Sequence, residues 1–351
     1  MSAPPTAEEQ LSFLSKIQRL FNESDFSSTY KYALLISLAD LSVEHGKDSN
    51  SELELSNKQI AERFIELYWQ QSTPYGANEH VFGGILLQNN GSQAAIVKAI
   101  QEFRDSNNFN SAESARLSPR YKKLVTKVTS TVATQPINYL QNVGGGTLPF
   151  LYEQTLGGII LKQGVAYCLR RFQPLIQQLA RNRWADFVKR NRKNIPILGE
   201  GVDLEEFLFE TSRKTLGIVG QNLKKLYGTK CFYCKKNLAQ MDVDHFIPYS
   251  LYPRDLMHNF VLACPACNRS KSDTLAARNH LENWFEISNK NSDAIMEIGE
   301  IAGVSASLIT SVAIARWGYG AAMQADGLAW VEPRNYEKIC REYLQNFELI
   351  K

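Results

Sequence analysis

The 351-residue sequence predicts a mainly α-helical protein of the α+β class. We expect a helical N-terminal region, a small cysteine-containing unit with strands, and a helical C-terminal extension. Two observations predict this organisation. Apolar residues recur at helical spacing before residue 110 and after residue 290. Between these regions, two Cys-x-x-Cys pairs, Cys231/Cys234 and Cys264/Cys267, enclose a stretch with the character of a strand.

The N-terminal region shows amphipathic periodicity in four places. The spacing of apolar residues predicts helices over residues 7–21, 26–44, 56–70 and 92–104. Ser56 and Gln59 have the S-x-x-Q spacing of a capping box, which predicts the start of the third helix. Residues 1–100 carry 7 Lys and Arg against 12 Asp and Glu. We therefore expect an acidic helical domain over residues 1–110.

Positive charge is concentrated in the middle of the chain. Residues 101–230 carry 20 Lys and Arg against 10 Asp and Glu, whereas residues 231–351 carry 12 against 14. A basic block of this size is where a polyanion such as a nucleic acid would be held. We therefore expect a basic, mostly helical region over residues 111–200 that contacts DNA. A solvated face with no partner is the alternative that charge pattern leaves open.

The strongest basic segment runs from Arg170 to Lys193 and predicts a helix with an apolar back and a cationic front. Leu175, Leu179, Trp184 and Phe187 have the spacing to face a core. The arginines expected to contact DNA in this segment are Arg181, Arg183, Arg190 and Arg192.

The stretches around this segment carry weaker signals. The run Gly144-Gly145-Gly146 is not followed by the Lys-Ser/Thr of a P-loop, so it predicts a flexible connector. Residues 157–168 predict two short strands joined at Gln163-Gly164. Residues 194–203 resemble a linker, and residues 204–226 predict a helix that leads into the cysteines.

The four cysteines predict a structural zinc site. Zinc favours tetrahedral thiolate coordination, and a Cys-x-x-Cys turn presents two sulfurs from one loop. Two such pairs about thirty residues apart complete a four-sulfur site, and paired cysteines in a reducing compartment more often bind metal than form disulfides. The sequence starts without the basic and apolar stretches of a secretory signal, and no run is apolar enough to span a bilayer. We therefore expect a cytoplasmic protein that does not associate with a membrane.

Between the cysteine pairs, residues 241–248 predict a strand that ends on Asp244 and His245. Hydrolysis of a phosphodiester needs a deprotonated water, a cation on the scissile oxygens, and positive charge for the transition state. His245 can take a proton near neutral pH. Asp244 and Asn268 offer oxygens suited to Mg²⁺ or Mn²⁺. Residues expected to contact the nucleic acid here are Lys271, Arg269 and Arg254.

These residues resemble the HNH endonucleases, the ββα-metal nucleases, in the form with an added four-cysteine zinc site. The shared pattern is Asp244-His245-x-x-Pro248, then Asn259-Phe260, then Cys264-x-x-Cys267-Asn268-x-x-Lys271. The resemblance implies that His245 is the general base, that Asp244 and Asn268 bind the catalytic metal, and that Asn259 holds the loop after His245. It covers about residues 225–285; the helical N-terminal region is not recognised.

The resemblance and the motif lead to one main hypothesis and one alternative. The main hypothesis is a metal-dependent HNH endonuclease that hydrolyses DNA, with protein partners from the same operon in a restriction or anti-phage defence system. A zinc-stabilised nucleic-acid-binding module without cleavage activity is the alternative. A single HNH centre cuts one strand at a time, so cleavage of both strands would need two copies, as in a homodimer.

The remaining elements complete the predicted organisation. Residues 275–285 predict the helix that completes the ββα unit, which places an HNH domain over residues 201–290. Residues 292–303, 305–323 and 333–347 predict three further helices. These form the expected C-terminal extension, residues 291–351.

Overall fold

The chain forms two compact units, Met1–Phe209 and Glu210–Lys351. A computed structural model describes residues 3–76, 84–107, 109–198, 203–345 and 347. Each unit contains a hydrophobic core of its own. The finer division into regions that end at residues 110, 200 and 290 stays a prediction.

The first unit is built mainly from helices, and its short strands form a three-stranded and a two-stranded sheet. Its helices are α1 (Ala7–Glu23), α2 (Tyr30–His45), α3 (Asn57–Trp69), α4 (Ala95–Asn107), α5 (Ala112–Arg116), α6 (Tyr121–Thr134), α7 (Pro136–Tyr139), α8 (Val165–Arg171), α9 (Gln173–Arg190), α10 (Ile195–Leu198) and α11 (Leu204–Phe209). Its strands are β1 (Leu53–Ser56), β2 (Asn142–Val143), β3 (Gly146–Thr147), β4 (Tyr152–Gln154) and β5 (Gly158–Leu161).

The four predicted N-terminal helices are confirmed as α1 to α4. The capping box at the start of α3 is present: Gln59 N–H donates to Ser56 Oγ at 3.2 Å, and Ser56 N–H donates to Gln59 Oε1 at 2.9 Å. Helix α2 is buried without interruption from Tyr30 to Val43 and packs against α3, α8 and α9. A helix that is apolar on most sides therefore forms the centre of the unit.

Two predictions in the middle of the chain are wrong. Gly144 and Gly145 have φ values of 61° and 80° and form a tight turn between β2 and β3, so this segment is an ordered hairpin. Only the first of the two strands predicted in 157–168 exists: β5 pairs with β1 and β4, and helix α8 follows Gly164. Helix α8 is buried from Val165 to Arg170. When a short segment is buried on all sides, its residues are mostly apolar. The spacing of apolar and polar residues then cannot distinguish a helix from a strand.

The helix predicted over residues 204–226 is interrupted at its seventh residue. Helix α11 ends at Phe209, and the next helix begins at Arg213, where the side chain of Ser212 accepts a hydrogen bond from Thr215 N–H at 3.2 Å. An N-cap serine marks the start of a separate helix. The predicted linker contains the short helix α10, and residues 199–202 of it lie outside the described residues.

The second unit combines a two-stranded ladder with helices and a C-terminal hairpin. Its helices are α12 (Arg213–Tyr227), α13 (Pro265–Lys271), α14 (Arg278–Lys290), α15 (Ser292–Ala302), α16 (Leu308–Gln324) and α17 (Glu342–Gln345). Its strands are β6 (Asp242–His245), β7 (Phe260–Ala263), β8 (Leu328–Glu332) and β9 (Asn335–Lys338).

The ββα unit is formed by β6, β7 and α13. Strands β6 and β7 are antiparallel, with Asp244 opposite Val261 and His245 opposite Phe260. The helix that follows the ladder directly is α13, not the predicted helix over 275–285. It begins after Cys264, with Pro265 in its first turn, and ends at Lys271, where Ser272 follows with a φ of 47°. Helix α14 begins seven residues after α13 and is a separate element.

The C-terminal extension is helical only in part. The predicted helices over 292–303 and 305–323 are confirmed as α15 and α16, whereas the prediction of a helix over 333–347 is wrong. That segment contains β9, which pairs with β8, and the short helix α17. Trp330 of β8 also bonds to the backbone of Leu275 and Ala277. Pairing with a distant segment therefore outweighs the local helical periodicity.

No helix within the described ranges combines the length and the apolar character that a membrane span requires.

Arg170 has a structural role in the first unit. Only 6% of the residue is exposed. The guanidinium donates to the carbonyl oxygens of Val43 and Ser42 at 2.7 and 3.2 Å, and to Asp48 Oδ1 at 3.0 Å. The carbonyls at the end of a helix lack partners within the helix. Arg170 therefore closes the C-terminal end of α2 and is not part of a cationic surface.

Replacing Arg170 by Met should lower the free energy of unfolding by about 2 kcal/mol, because buried carbonyls of α2 would lose their charged donor. Urea unfolding, followed by hydrogen exchange of the α2 amides, measures the change. The control is Arg171→Met, since Arg171 is exposed. Equal stability of the two variants would contradict the assigned role.

Candidate active site and metal centre

The four cysteines form one cluster. Cys231 and Cys234 lie in the loop before β6, while Cys264 and Cys267 lie at the start of α13. Their Sγ atoms all lie within 4.8 Å of one another, and those of Cys234 and Cys264 are 3.9 Å apart. Zn–S bonds of about 2.3 Å in a tetrahedron place sulfurs about 3.8 Å apart. The cluster is therefore compatible with a structural zinc ion.

Strand β6 presents two acids to α13. Alternate residues of a strand point to the same side, so Asp242 and Asp244 share one face of the ladder. On that face, Asn268 Nδ2 donates to Asp242 Oδ2 at 3.1 Å, and Lys271 Nζ lies 3.2 Å from Asp244 Oδ2. Because α13 follows β7 directly, its polar residues lie over the two carboxylates.

The carboxylate of Asp244 is almost completely enclosed, with 7% of the residue exposed. Tyr233 Oη donates to its Oδ2 at 2.5 Å. Lys271, which is fully buried, also donates to the carbonyl oxygen of His245 at 2.8 Å. Burial lowers the pKa of Lys271, and the charge of Asp244 opposes that shift. Burial raises the pKa of Tyr233 well above its ordinary value, and the Asp244 charge raises it further.

His245 lies on the opposite face of the ladder. Its ring centroid is 4.8 Å from that of Phe260 and 5.3 Å from that of Tyr249. The Nε2 atom lies 2.5 Å from Asp255 Oδ1. The side chain of His245 is 21% exposed. The imidazole is therefore held at one nitrogen while part of its ring remains accessible to water.

Asp255 is the carboxylate partner of His245. Burial works to raise the pKa of Asp255, but hydrogen bonding to His245, the His245 charge and hydrogen bonds from Thr211 outweigh it, so the pKa is lowered. Thr211 supplies these bonds through both its side chain and its backbone. A carboxylate that receives several hydrogen bonds retains its charge when buried.

Asn259 closes the loop that follows His245. Its Oδ1 accepts from Ile247 N–H at 2.7 Å, and its Nδ2 donates to the carbonyl oxygen of Ile247 at 2.9 Å. Its own carbonyl oxygen accepts from Phe246 N–H at 2.7 Å. A single amide side chain thus satisfies both backbone groups of one residue across the loop.

The expected nucleic-acid contacts of the second unit do not share one surface. Arg269 is exposed on α13, and Arg254 is half-buried in the loop between β6 and β7. Lys271 requires a correction: its ammonium group lies inside the unit on Asp244 and the His245 carbonyl, and the side chain has no exposed surface. The last turn of α13 faces β6, so a residue at this position points into the fold.

The basic helix of the first unit is only partly a cationic surface. Arg183 and Arg190 of this helix are exposed, as is Arg192 just after its end. Arg190 Nη2 lies 3.7 Å from Asp186 Oδ2. Arg181 is half-buried, with its guanidinium 4.8 Å from the ring centroid of Phe209.

The apolar side of this helix also differs from the prediction. Leu175 and Leu179, which were expected to face the core, are 45% and 38% exposed. The buried positions of α9 include Ile176, Ala180, Trp184 and Val188. The buried stripe thus lies one residue further along the helix than the predicted positions Leu175 and Leu179. Gln177 also points inward, where its Nε2 donates to Asp40 Oδ1 at 2.7 Å.

Several residues of the site are absent from the sequence-based prediction. These are Thr211, Tyr233, Asp242 and Asp255. Asp242 stands two positions before Asp244 on a predicted strand, so the alternation of side chains could have placed both acids on one face. Asp255 and Thr211 carry no such signal, because their approach to His245 depends on the path of the loop.

The acidic face has the donor chemistry for a hard divalent cation. Asp242, Asp244 and Asn268 offer carboxylate and amide oxygens, the atoms that Mg²⁺ and Mn²⁺ prefer. Asn268 contacts Asp242 through its amide nitrogen, and Lys271 already lies on Asp244. A cation at this face would therefore share the Asp244 carboxylate with an ammonium group.

Comparison with known proteins agrees with this geometry. Residues 231–274, which span the cysteine cluster, the ladder and α13, match the family described as HNH endonuclease. Residues 10–202 match the family described as Domain of unknown function (DUF8808), which accounts for more than half of the chain. No curated protein and no solved structure matches the chain. The chain belongs to the DUF8808 family and carries an HNH endonuclease domain at residues 231–274.

Proposed function

We propose that the protein is a divalent-metal-dependent endonuclease that hydrolyses phosphodiester bonds in DNA. The observation that carries this proposal is the position of His245 at the end of β6, directly after Asp244, partly exposed on the face of the ladder opposite the two acids. An HNH domain with this arrangement supports nuclease activity on a nucleic acid. The choice of DNA over RNA and the dependence on metal are parts of the proposal.

Each residue of the motif has a role in the proposed reaction. His245 takes the proton from the water that attacks phosphorus, and Asn259 keeps the loop after it in shape. Mg²⁺ or Mn²⁺ bound by Asp244 and Asn268 would supply positive charge to the oxygens of the scissile phosphate. Arg269 and Arg254 are proposed to bind neighbouring phosphates. Lys271 neutralises Asp244 and supports the His245 backbone from within the fold.

One observation favours a second candidate, a zinc-stabilised nucleic-acid-binding module without cleavage activity. The ammonium group of Lys271 lies 3.2 Å from the carboxylate of Asp244 that a catalytic cation would need. If that ion pair excludes the cation, the domain would bind nucleic acid without cutting it. Cleavage assays on a variant of His245 separate the two candidates.

We also propose a biological setting. A helical unit from a family of unknown function, joined to a nuclease domain, suits a restriction or anti-phage defence system in which proteins from the same operon direct cleavage. Two copies of the chain would allow both strands to be cut. Thiolates available for zinc suit the reducing environment of the cytoplasm.

His245→Ala should reduce cleavage of plasmid DNA by about 10²- to 10⁴-fold, because the general base is lost. DNA binding and zinc content should stay unchanged, since the ring contributes to neither. The measurement is nicking of supercoiled plasmid with Mg²⁺ or Mn²⁺, with a gel-shift assay for binding. Equal cleavage by both proteins would remove His245 from the mechanism. Binding without cleavage by the unmodified protein under every metal would favour the second candidate.

The cysteine cluster should hold one zinc ion per chain. Cys267→Ser should lose the metal and destabilise the second unit, because binding to a four-thiolate site stabilises a fold by about 10 kcal/mol or more. Elemental analysis and thermal unfolding measure both effects. Cys340→Ser is the matched control, since Cys340 is exposed and lies outside the cluster. A chain that folds fully without metal would contradict a structural role.

Charge reversal at exposed arginines of α9 and of the residues just after it tests the DNA-binding surface. Replacing Arg183, Arg190 and Arg192 by Glu should weaken binding and flatten its salt dependence, with a loss of about 0.9 in the log–log slope for each phosphate contact removed. The control reverses the same number of charges at exposed lysines in the acidic region, Lys47, Lys58 and Lys98. If both triple variants show the same slope, α9 is only a solvated face.

A further inference from the structure

We infer that Asp255 is a positioning residue that holds the His245 imidazole with its proton on Nε2, so that Nδ1 is the atom that accepts the proton from water. The catalytic part of this inference rests on the proposed function, in which His245 is the general base. The tautomer itself is a property of the folded chain that can be measured without cleavage.

The contact between the two side chains is close and enclosed. Asp255 Oδ1 lies 2.5 Å from His245 Nε2, and the Asp255 side chain is 11% exposed. An ionised carboxylate accepts hydrogen bonds and cannot donate them, so the proton between these atoms belongs to the imidazole nitrogen. A neutral imidazole that carries its proton on Nε2 has its lone pair on Nδ1.

The remaining contacts of Asp255 keep it in this position. Thr211, in the connection between α11 and α12, hydrogen-bonds to Asp255 through its hydroxyl and its backbone. Thr211, Asp255 and His245 thus form a chain of polar contacts between three segments of the second unit. The rings of Tyr249 and Phe260 limit the orientation of the imidazole from its flanks.

The loop does not need Asp255 in order to close. Asn259 already bonds both backbone groups of Ile247, and Phe246 N–H donates to the Asn259 carbonyl oxygen. A carboxylate beside a site for phosphate also repels the polyanion, which is a disadvantage unless it serves the reaction. Orienting the His245 imidazole is the role that accounts for the enclosed carboxylate of Asp255 beside it.

The first experiment measures the tautomer. The chain has five histidines, so ¹⁵N-histidine NMR with long-range ¹H–¹⁵N correlations is practicable, and His245→Ala assigns the His245 signals. We expect the Nε2–H form in the unmodified protein, and a mixture of forms or the Nδ1–H form in Asp255→Ala. The Nδ1–H form in the unmodified protein, or the same form in both proteins, would overturn the inference.

The second experiment measures the reaction. Asp255→Asn keeps the shape of the side chain but replaces the fixed acceptor with an amide that can turn its donor to Nε2. We expect kcat to fall at least about 100-fold in Asp255→Asn and Asp255→Ala, with KM for DNA changed by less than about twofold, because the acid acts on the base and not on binding. Asp255→Glu, which retains the carboxylate, should recover part of kcat.

Controls separate positioning from folding and from failure of the proposed function. Asp293→Ala removes an exposed acid of the same unit and should leave the tautomer and kcat unchanged. Retained zinc content and thermal stability show that the Asp255 variants are folded. If His245→Ala abolishes cleavage while Asp255→Ala leaves kcat intact, the inference falls and the proposed function stands. If the unmodified protein cuts no DNA but loss of Asp255 changes the tautomer, the proposed function falls and the positioning stands.

Discussion

The antiparallel pairing of β6 with β7 is the constraint on which the site depends. It places His245 opposite Phe260, so the residue just before β7, Asn259, lies where it can bond the loop that leaves β6. It also sends the chain directly from β7 into α13, whose polar residues then lie over Asp242 and Asp244. A shift of one residue in this register would exchange the two faces of β6 and separate the acids from α13.

The four sulfurs and a buried aromatic layer support this ladder from two directions. The cysteines join the loop before β6 to the start of α13, at the two ends of the motif. Phe246, just after β6, stacks on Trp284 at 4.9 Å between ring centroids, and Trp284 Nε1 donates to the carbonyl oxygen of His258. A two-stranded ladder buries little surface by itself. Its shape therefore depends on the cysteine cluster and on packing from α14.

Buried charge is placed with a partner in both units. Lys271 lies on Asp244, Arg170 lies on the end of α2 and on Asp48, and Asp40 accepts from two glutamine side chains of α9. Each arrangement follows from the cost of enclosing an unpaired ion. For the same reason, counting Lys and Arg along the sequence overstates the cationic surface, since several of these side chains are internal partners.

The local motif was predictable from the sequence, and so were most helices. Cysteine spacing, the Asp244-His245 step and the two asparagines depend on residues close in the chain, and the α1–α4 helices follow from a period that short windows reveal. The partners of these residues were not predictable from the sequence.

Asp255 reaches His245 through a loop whose path is set by Asn259, and Lys271 turns inward because α13 packs on β6. The hairpin of β8 and β9 replaces a predicted helix because Trp330 bonds to the backbone between α13 and α14. Where a sequence pattern is compatible with more than one local structure, contacts between distant segments decide which one forms.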